Sequence, residues 1–204
     1  MMRHLLTSLA LAFGLAGPAA AQTTEVARAA LIPGWQQADG SHVVGLLLDL
    51  APGWKTYWRS PGDAGIPPRF DWAGSRNIAS LRTLWPTPEA MDQNGMTSIG
   101  YPGDVVIPLM IRPESAGGEM RLTGRMELGV CKDVCVPAEL RFSATLTPGD
   151  RRDPRLVAAL VDRPLTAREA QVGQVSCRIS PVEGGVALTA RIAMPSAGGQ
   201  EFVV

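Results

Sequence analysis

The chain has 204 residues with 19 basic and 19 acidic side chains and a formal net charge of zero, so it offers no charge excess to hold nucleic acid or an anionic membrane surface. Its 22 glycines and 17 prolines are scattered among short apolar stretches, a composition that favours strands joined by turns over long helices. The length exceeds that of one typical domain and allows one domain plus part of another.

At the amino terminus Arg3 and His4 precede an apolar run from Leu5 to Ala16, then Pro18 and Ala19-Ala20-Ala21. That order predicts a secretory signal peptide, residues 1–21, cleaved before Gln22. The run of about 12 residues falls short of the roughly 20 that a spanning helix needs, and no later stretch is long enough. The mature chain is therefore expected to be soluble and periplasmic. Cleavage removes only Arg3 among the charged residues, leaving an excess of one acidic group. Export also changes how cysteines read, because disulfides persist in the oxidising periplasm unless something reduces them. The three cysteines are Cys131, Cys135 and Cys177, and an odd number leaves at least one without an intramolecular partner.

Along the chain, Val43 to Leu50 and Val105 to Ile111 are apolar enough for central strands, with Pro108 expected at an edge or a bulge. Seven of the eleven Phe, Trp and Tyr residues fall between Trp54 and Tyr101. They supply either a sandwich core or a shield over reactive groups. The segment Glu89 to Ile99 is polar and contains Gly95, which predicts a loop rather than a core strand. From Met120 to Leu128 the period is 2, with Met120, Leu122, Met126 and Leu128 on one side and Arg121, Thr123, Arg125 and Glu127 on the other. The alternation resumes at Leu140, Phe142, Ala144 and Leu146, so these two segments are expected to be antiparallel neighbours joined around the cysteines. Asp153-Pro154 followed by Arg155 to Val161 predicts one short helix stopped by Pro164. Beyond it, Val172 to Ile179, Val186 to Ala193 and Glu201 to Val204 read as strands. The last is cut short, as if the natural carboxyl terminus lay further on. The pattern predicts an all-β antiparallel sandwich over residues 22–149, a linker with a short helix over 150–170, and part of a second β module over 171–204.

The chemistry centres on Gly129-Val-Cys131-Lys-Asp-Val-Cys135-Val-Pro137. Extended, the two cysteine Cα atoms would be about 13 Å apart, whereas a disulfide needs about 4.4 to 6.8 Å, so the chain must turn through Lys132, Asp133 and Val134. A loop this short gains only about 2 kcal/mol from closure in the chain-entropy model, which suits a reducible carrier better than a staple. Two alternatives stand beside it: a structural disulfide, or a soft-metal site in which the thiolates and methionines take copper(I). His42 is the only histidine after cleavage, which argues against a His-based zinc site or a Cys-His or Ser-His catalytic pair, and it reads as a strand-edge residue. Cys177, sharing a face with Val175, reads as a buried small apolar residue dispensable for exchange, or else as a thiol that pairs between molecules.

From about Val43 to Leu146 the chain resembles the amino-terminal periplasmic domain of the DsbD thiol:disulfide interchange proteins. It is nearest to the copper-sensitivity-suppressor B branch and its free-standing relatives. The residues that carry the resemblance are Gly53-Trp54, Tyr57-Trp58, Pro61-Gly-Asp63, Trp85-Pro86, Gly100-Tyr101 and Val130 to Pro137. It implies an immunoglobulin-like sandwich in which Cys131 and Cys135 are the redox pair. They would take electrons from a thioredoxin-like donor or a membrane electron-channel protein and deliver them to periplasmic thioredoxin-fold oxidoreductases, without a cofactor. It also implies a cap loop over the sulfurs within Glu89 to Ile99. Glu89, Met91 and Asp92 stand there without the aromatic residue of the best-known members. Met91 or Met96 is expected to give the apolar cover, with Tyr57 or Trp58 below the pair. Complete DsbD-type proteins continue into a membrane channel and a thioredoxin-like domain; this chain shows neither, so it is a stand-alone relay or a fragment. The alternative function is an immunoglobulin-like binding module in copper handling or envelope assembly, with a merely structural disulfide.

Overall fold

Short runs of alternating apolar and polar residues become strands because each can bury one face and leave the other in water. A computed structural model describes residues 26–93, 95–147, 152–196 and 198; the expected signal peptide and the segment 201–204 lie outside them. The strands are β1 (Ala27–Gln36), β2 (His42–Leu50), β3 (Lys55–Gly62), β4 (Arg69–Asp71), β5 (Ser80–Thr83), β6 (Glu89–Gln93), β7 (Met96–Tyr101), β8 (Val105–Arg112), β9 (Met120–Cys131) and β10 (Cys135–Leu146). After these come a helix, α1 (Pro154–Val161), and the strands β11 (Val175–Val182) and β12 (Gly185–Ile192). No described helix is long and apolar enough to cross a membrane.

One sheet runs β1-β2-β8-β5, a second runs β10-β9-β3-β7-β6 with β4 on β9, and among the described residues β11 pairs only with β12. The first two sheets pack face to face as an all-β, immunoglobulin-like antiparallel sandwich. Val44, Leu46, Leu48, Ile107, Leu109 and Ile111 from one sheet meet Trp58, Leu122, Met126, Leu128 and Val130 from the other in a single core. The alternation read at Met120 to Leu128 holds residue by residue, with the apolar set buried and Arg121 and Glu127 exposed. β10 lies antiparallel to β9 in unbroken register from Cys135 opposite Cys131 to Leu146 opposite Met120.

Three expectations about the sandwich change. Pro108 is at neither a bulge nor an outer edge, since β8 keeps continuous register with β2 and pairs with β5 on its other side. The Pro108 carbonyl accepts from the Leu84 N–H at 2.8 Å, so the proline nitrogen faces the place where β5 has already ended, and no ladder bond is lost. The segment Glu89 to Ile99 is not a loop: β6 and β7 form a hairpin, Met91 opposite Ser98 and Gln93 opposite Met96, with β7 also paired to β3. Third, His42 opens a central strand and is buried; burial lowers its pKa, against a backbone hydrogen bond with Thr147 that raises it.

The helix forms where Pro154 stands at its start and the Asp153 carboxylate accepts from the Arg155 N–H at 2.9 Å, an N-cap with proline in the first turn. Its buried Leu156 packs with Trp35 and Val43 on the outer side of the first sheet. Cys177 is exposed rather than buried. It does share a face with Val175, but β11 and β12 make a two-stranded sheet whose Val175, Ile179, Val186 and Leu188 are all exposed.

Candidate redox site

The site begins with the turn between β9 and β10. Cys131 ends one strand, Cys135 begins the next, and they are direct cross-strand partners with Cα atoms 4.1 Å apart, joined by a disulfide. The turn through Lys132, Asp133 and Val134 that the spacing required is closed by the Lys132 N–H donating to the Val134 carbonyl at 3.1 Å. The two cysteines have different surroundings: Cys131 is fully buried, whereas Cys135 is an exposed residue.

Register decides which residues share the sulfurs' side of the sheet, because directly opposed residues point the same way. Lys55 lies opposite Cys131, and Thr56 opposite both Val130 and Tyr101. Tyr57 therefore falls on the outer face with the disulfide, while Trp58 turns inward and belongs to the core. The guanidinium of Arg59 stacks over the Trp58 ring at 4.3 Å. Trp58 is thus a core residue and not a floor beneath the sulfurs. Most of the aromatic cluster behaves likewise. Phe70 stacks on Trp72 at 5.1 Å, and the Tyr101 hydroxyl donates to the Pro86 carbonyl at 3.0 Å.

Tyr57 is the aromatic residue that reaches the sulfurs. Its hydroxyl is 3.0 Å from Cys131 Sγ, 3.5 Å from Cys135 Sγ and 3.0 Å from Gln93 Oε1. It carries one hydrogen, so it serves these acceptors in turn. Although it stands on the outer face, Tyr57 is only 1% exposed, because the segment after β3 folds back across it. A Cβ at Gly65 would lie 2.8 Å from the Tyr57 ring, and one at Gly129 would lie 2.8 Å from Ile66. The Pro61-Gly-Asp-Ala-Gly65 segment is therefore a cover for this tyrosine, and glycine at 65 is what lets it close.

The β6–β7 hairpin reaches the site from the other side. Gln93 is the residue that makes contact, its Oε1 on Tyr57 and its Nε2 donating toward Cys135 Sγ at 3.7 Å. By register Met91, Gln93 and Met96 share the outer face with Tyr57, whereas Asp92 points to the opposite face. Glu89, Asp92 and Met96 are exposed; Asp92 accepts from the Gly95 N–H at 3.5 Å across the hairpin turn. The hydrogen-bonding contact from this hairpin is thus a carboxamide rather than a methionine. The sequence held a signal for it, since Asn94-Gly95 between short alternating runs is a strong hairpin dipeptide and makes Gln93 the last residue before the turn. Cys177 lies on β11, in a sheet that contains no strand of this site. Cys177→Ser is expected to leave the rate of disulfide reduction by dithiothreitol unchanged; a fall of tenfold or more in a folded protein would bring Cys177 into the chemistry.

An immunoglobulin-like sandwich with one buried and one exposed sulfur in a disulfide at the junction of two strands defines a class, the small all-β carrier of a disulfide. Residues 25–147 match the family described as the N-terminal domain of thiol:disulfide interchange protein DsbD. The chain belongs to that family, whose chemistry is thiol–disulfide interchange. Among solved structures it is similar to the N-terminal periplasmic domain of ScsB from Proteus mirabilis. That likeness has 24% identity and a TM-score of 0.53 over 85% of this chain and 82% of that one, and it is a likeness of fold. The N-terminal domain of DsbD from Neisseria meningitidis, in its reduced form, matches at 17% identity and a TM-score of 0.31, over 58% of this chain and 86% of that one. No curated protein sequence matches the chain.

Proposed function

We propose that this chain is an exported periplasmic relay whose Cys131/Cys135 dithiol reduces the disulfide of a thioredoxin-fold oxidoreductase. A thioredoxin-like donor domain or a membrane electron-channel protein then reduces it again. In this reading residues 1–21 are the export signal, 22–149 the exchange domain, 150–170 a linker and 171–204 part of a second β module. The observation that carries the reading is the asymmetry of the pair, exposed at Cys135 and buried beneath Tyr57 at Cys131.

Thiol–disulfide exchange needs in-line approach of a thiolate to a sulfur, so access selects the reacting atom. The Cys135 thiolate attacks one sulfur of the partner disulfide; the new bond forms at Cys135 Sγ, and the other partner sulfur leaves as a thiolate that takes a proton from water. Cys131, deprotonated to solvent, then attacks Cys135 Sγ and expels the second partner thiolate. Two electrons pass to the partner, and the Cys131–Cys135 bond is restored. Reduction by the donor runs the same steps in reverse.

Cys131→Ala removes the resolving thiol and keeps the exposed nucleophile, so it is expected to accumulate a covalent adduct with a thioredoxin-fold partner, read on a non-reducing gel. Cys135→Ala is expected to accumulate none. The opposite pattern would reverse the roles. If neither variant forms an adduct and the wild-type couple titrates below about −300 mV, the bond is structural and the relay is wrong.

A further inference from the structure

Among the described residues of the hairpin, Gln93 is the side chain hydrogen-bonded into the sulfur cluster, and it reaches two atoms there at once. Its Oε1 is 3.0 Å from the Tyr57 hydroxyl and its Nε2 is 3.7 Å from Cys135 Sγ, while the Tyr57 hydroxyl is 3.0 Å from Cys131 Sγ. Each sulfur therefore has its own donor: an amide N–H at the exposed one and a phenol O–H at the buried one. A disulfide sulfur is a weak acceptor and gains little from either. A thiolate carries a full negative charge, and hydrogen bonds to charged groups are the strong ones. The arrangement thus favours the charged sulfurs that exist during exchange over the disulfide that exists at rest, as pre-aimed donors do wherever charge develops.

We propose that Gln93 is a catalytic residue of thiol exchange: its carboxamide N–H stabilises the Cys135 thiolate, while its carbonyl accepts from the Tyr57 hydroxyl and keeps it beside Cys131 until that sulfur carries charge. This rests on the relay reading, in which Cys135 bears charge as the attacking sulfur in one direction and as the leaving sulfur in the other. No proton need pass through Gln93. The Cys135 thiol loses its proton to water, the amide N–H bonds to the thiolate that results, and the bond is given up when Cys135 Sγ joins the partner's sulfur. The Tyr57 hydroxyl donates to the Gln93 carbonyl while the disulfide is intact and turns to Cys131 when that sulfur carries the charge. A phenol holds its proton more tightly than a thiol does, so a hydrogen bond changes partner and the proton stays on oxygen.

The role differs from that of a simple cover, and the two predict opposite results. Gln93 stands on a surface hairpin and is only partly buried, so Gln93→Leu keeps the bulk and removes both hydrogen-bonding groups without touching the core. In the fully reduced protein carrying Cys131→Ala and Cys177→Ser, which leaves Cys135 as its one thiol, alkylation of Cys135 by iodoacetamide is followed from pH 6 to 11. The expected result for Gln93→Leu is an upward move of the midpoint by about one pH unit, the worth of one hydrogen bond to a charged group. Below the midpoint, alkylation slows about tenfold. Gln93→Glu, which keeps the length but sets a carboxylate beside the sulfur, is expected to move the midpoint at least as far. An unchanged midpoint in both variants overturns the proposal, as does faster alkylation at every pH with the midpoint unmoved, the mark of a cover. The readout concerns one thiol and no partner, so it can fail while the wild-type pair still exchanges, or hold while the relay reading falls.

Discussion

Tyr57→Phe is expected to slow reduction of the Cys131–Cys135 disulfide by dithiothreitol about tenfold at neutral pH. When a thiolate attacks Cys135, the departing charge lands on Cys131, which is fully buried. Burial disfavours a thiolate as it does any ion, and the donor that faces Cys131 Sγ is the Tyr57 hydroxyl at 3.0 Å. A hydrogen bond to a charged group is worth about 1.5 to 3 kcal/mol, and each 1.36 kcal/mol is tenfold in rate. Phenylalanine fills the same space, so the backbone at Gly65 still closes over the ring and access to Cys135 is unchanged. The change therefore isolates the hydrogen bond from the cover. Stopped-flow reduction of both proteins, each with matched unfolding midpoints, measures it; equal rates would show that the hydroxyl does not serve the leaving sulfur.

The second expectation concerns stability. Gly100→Val should destabilise the oxidised domain by about 3 kcal/mol or more, at the upper end of what overpacking costs. A Cβ at Gly100 would lie 2.1 Å from the Thr56 carbonyl oxygen and 2.8 Å from Tyr57 Cα. Both are backbone atoms, and they cannot retreat cheaply because Thr56 is also paired to Val130 of β9. The strain must separate β7 from β3, and with β7 goes β6 and the Gln93 contact. Gly103→Ala, where a Cβ meets nothing within 4 Å, serves as the control and should stay within about 0.5 kcal/mol of the parent. Urea unfolding with the disulfide intact reads both. A Gly100→Val protein as stable as the control would mean that β7 does not approach β3 as closely as described.

The relation between these residues and their neighbours sets how far the sequence could be read. Met120 to Leu128 and Leu140 to Leu146 announce themselves because one face of each strand is buried throughout, so period-2 alternation survives any detail of the surroundings. The four-residue spacing of Cys131 and Cys135 requires a turn by chain length alone. The helix at Pro154 is signalled by its cap and its proline. In contrast, Pro108 reads as an edge residue, and only the place where β5 stops makes it harmless inside the sheet. The segment 89–99 reads as a loop because it is polar and contains Gly95; pairing of β7 with β3 supplies the strand that local propensity does not. Cys177 reads as buried because its neighbours alternate, yet nothing among the described residues lies across that face of β11 and β12.

By itself the sequence determined the class of fold, the cysteine pair and the turn between them, since hydrophobic period, turn chemistry and chain reach act over a few residues. Only the tertiary structure decided which cysteine is exposed, that Tyr57 faces the sulfurs while Trp58 faces the core, and that Gln93 hydrogen-bonds toward them. Those choices depend on strand register. A shift of one residue exchanges the two faces of a strand, and register is set between segments as far apart as Tyr57, Gln93 and Cys131, where no local pattern records it.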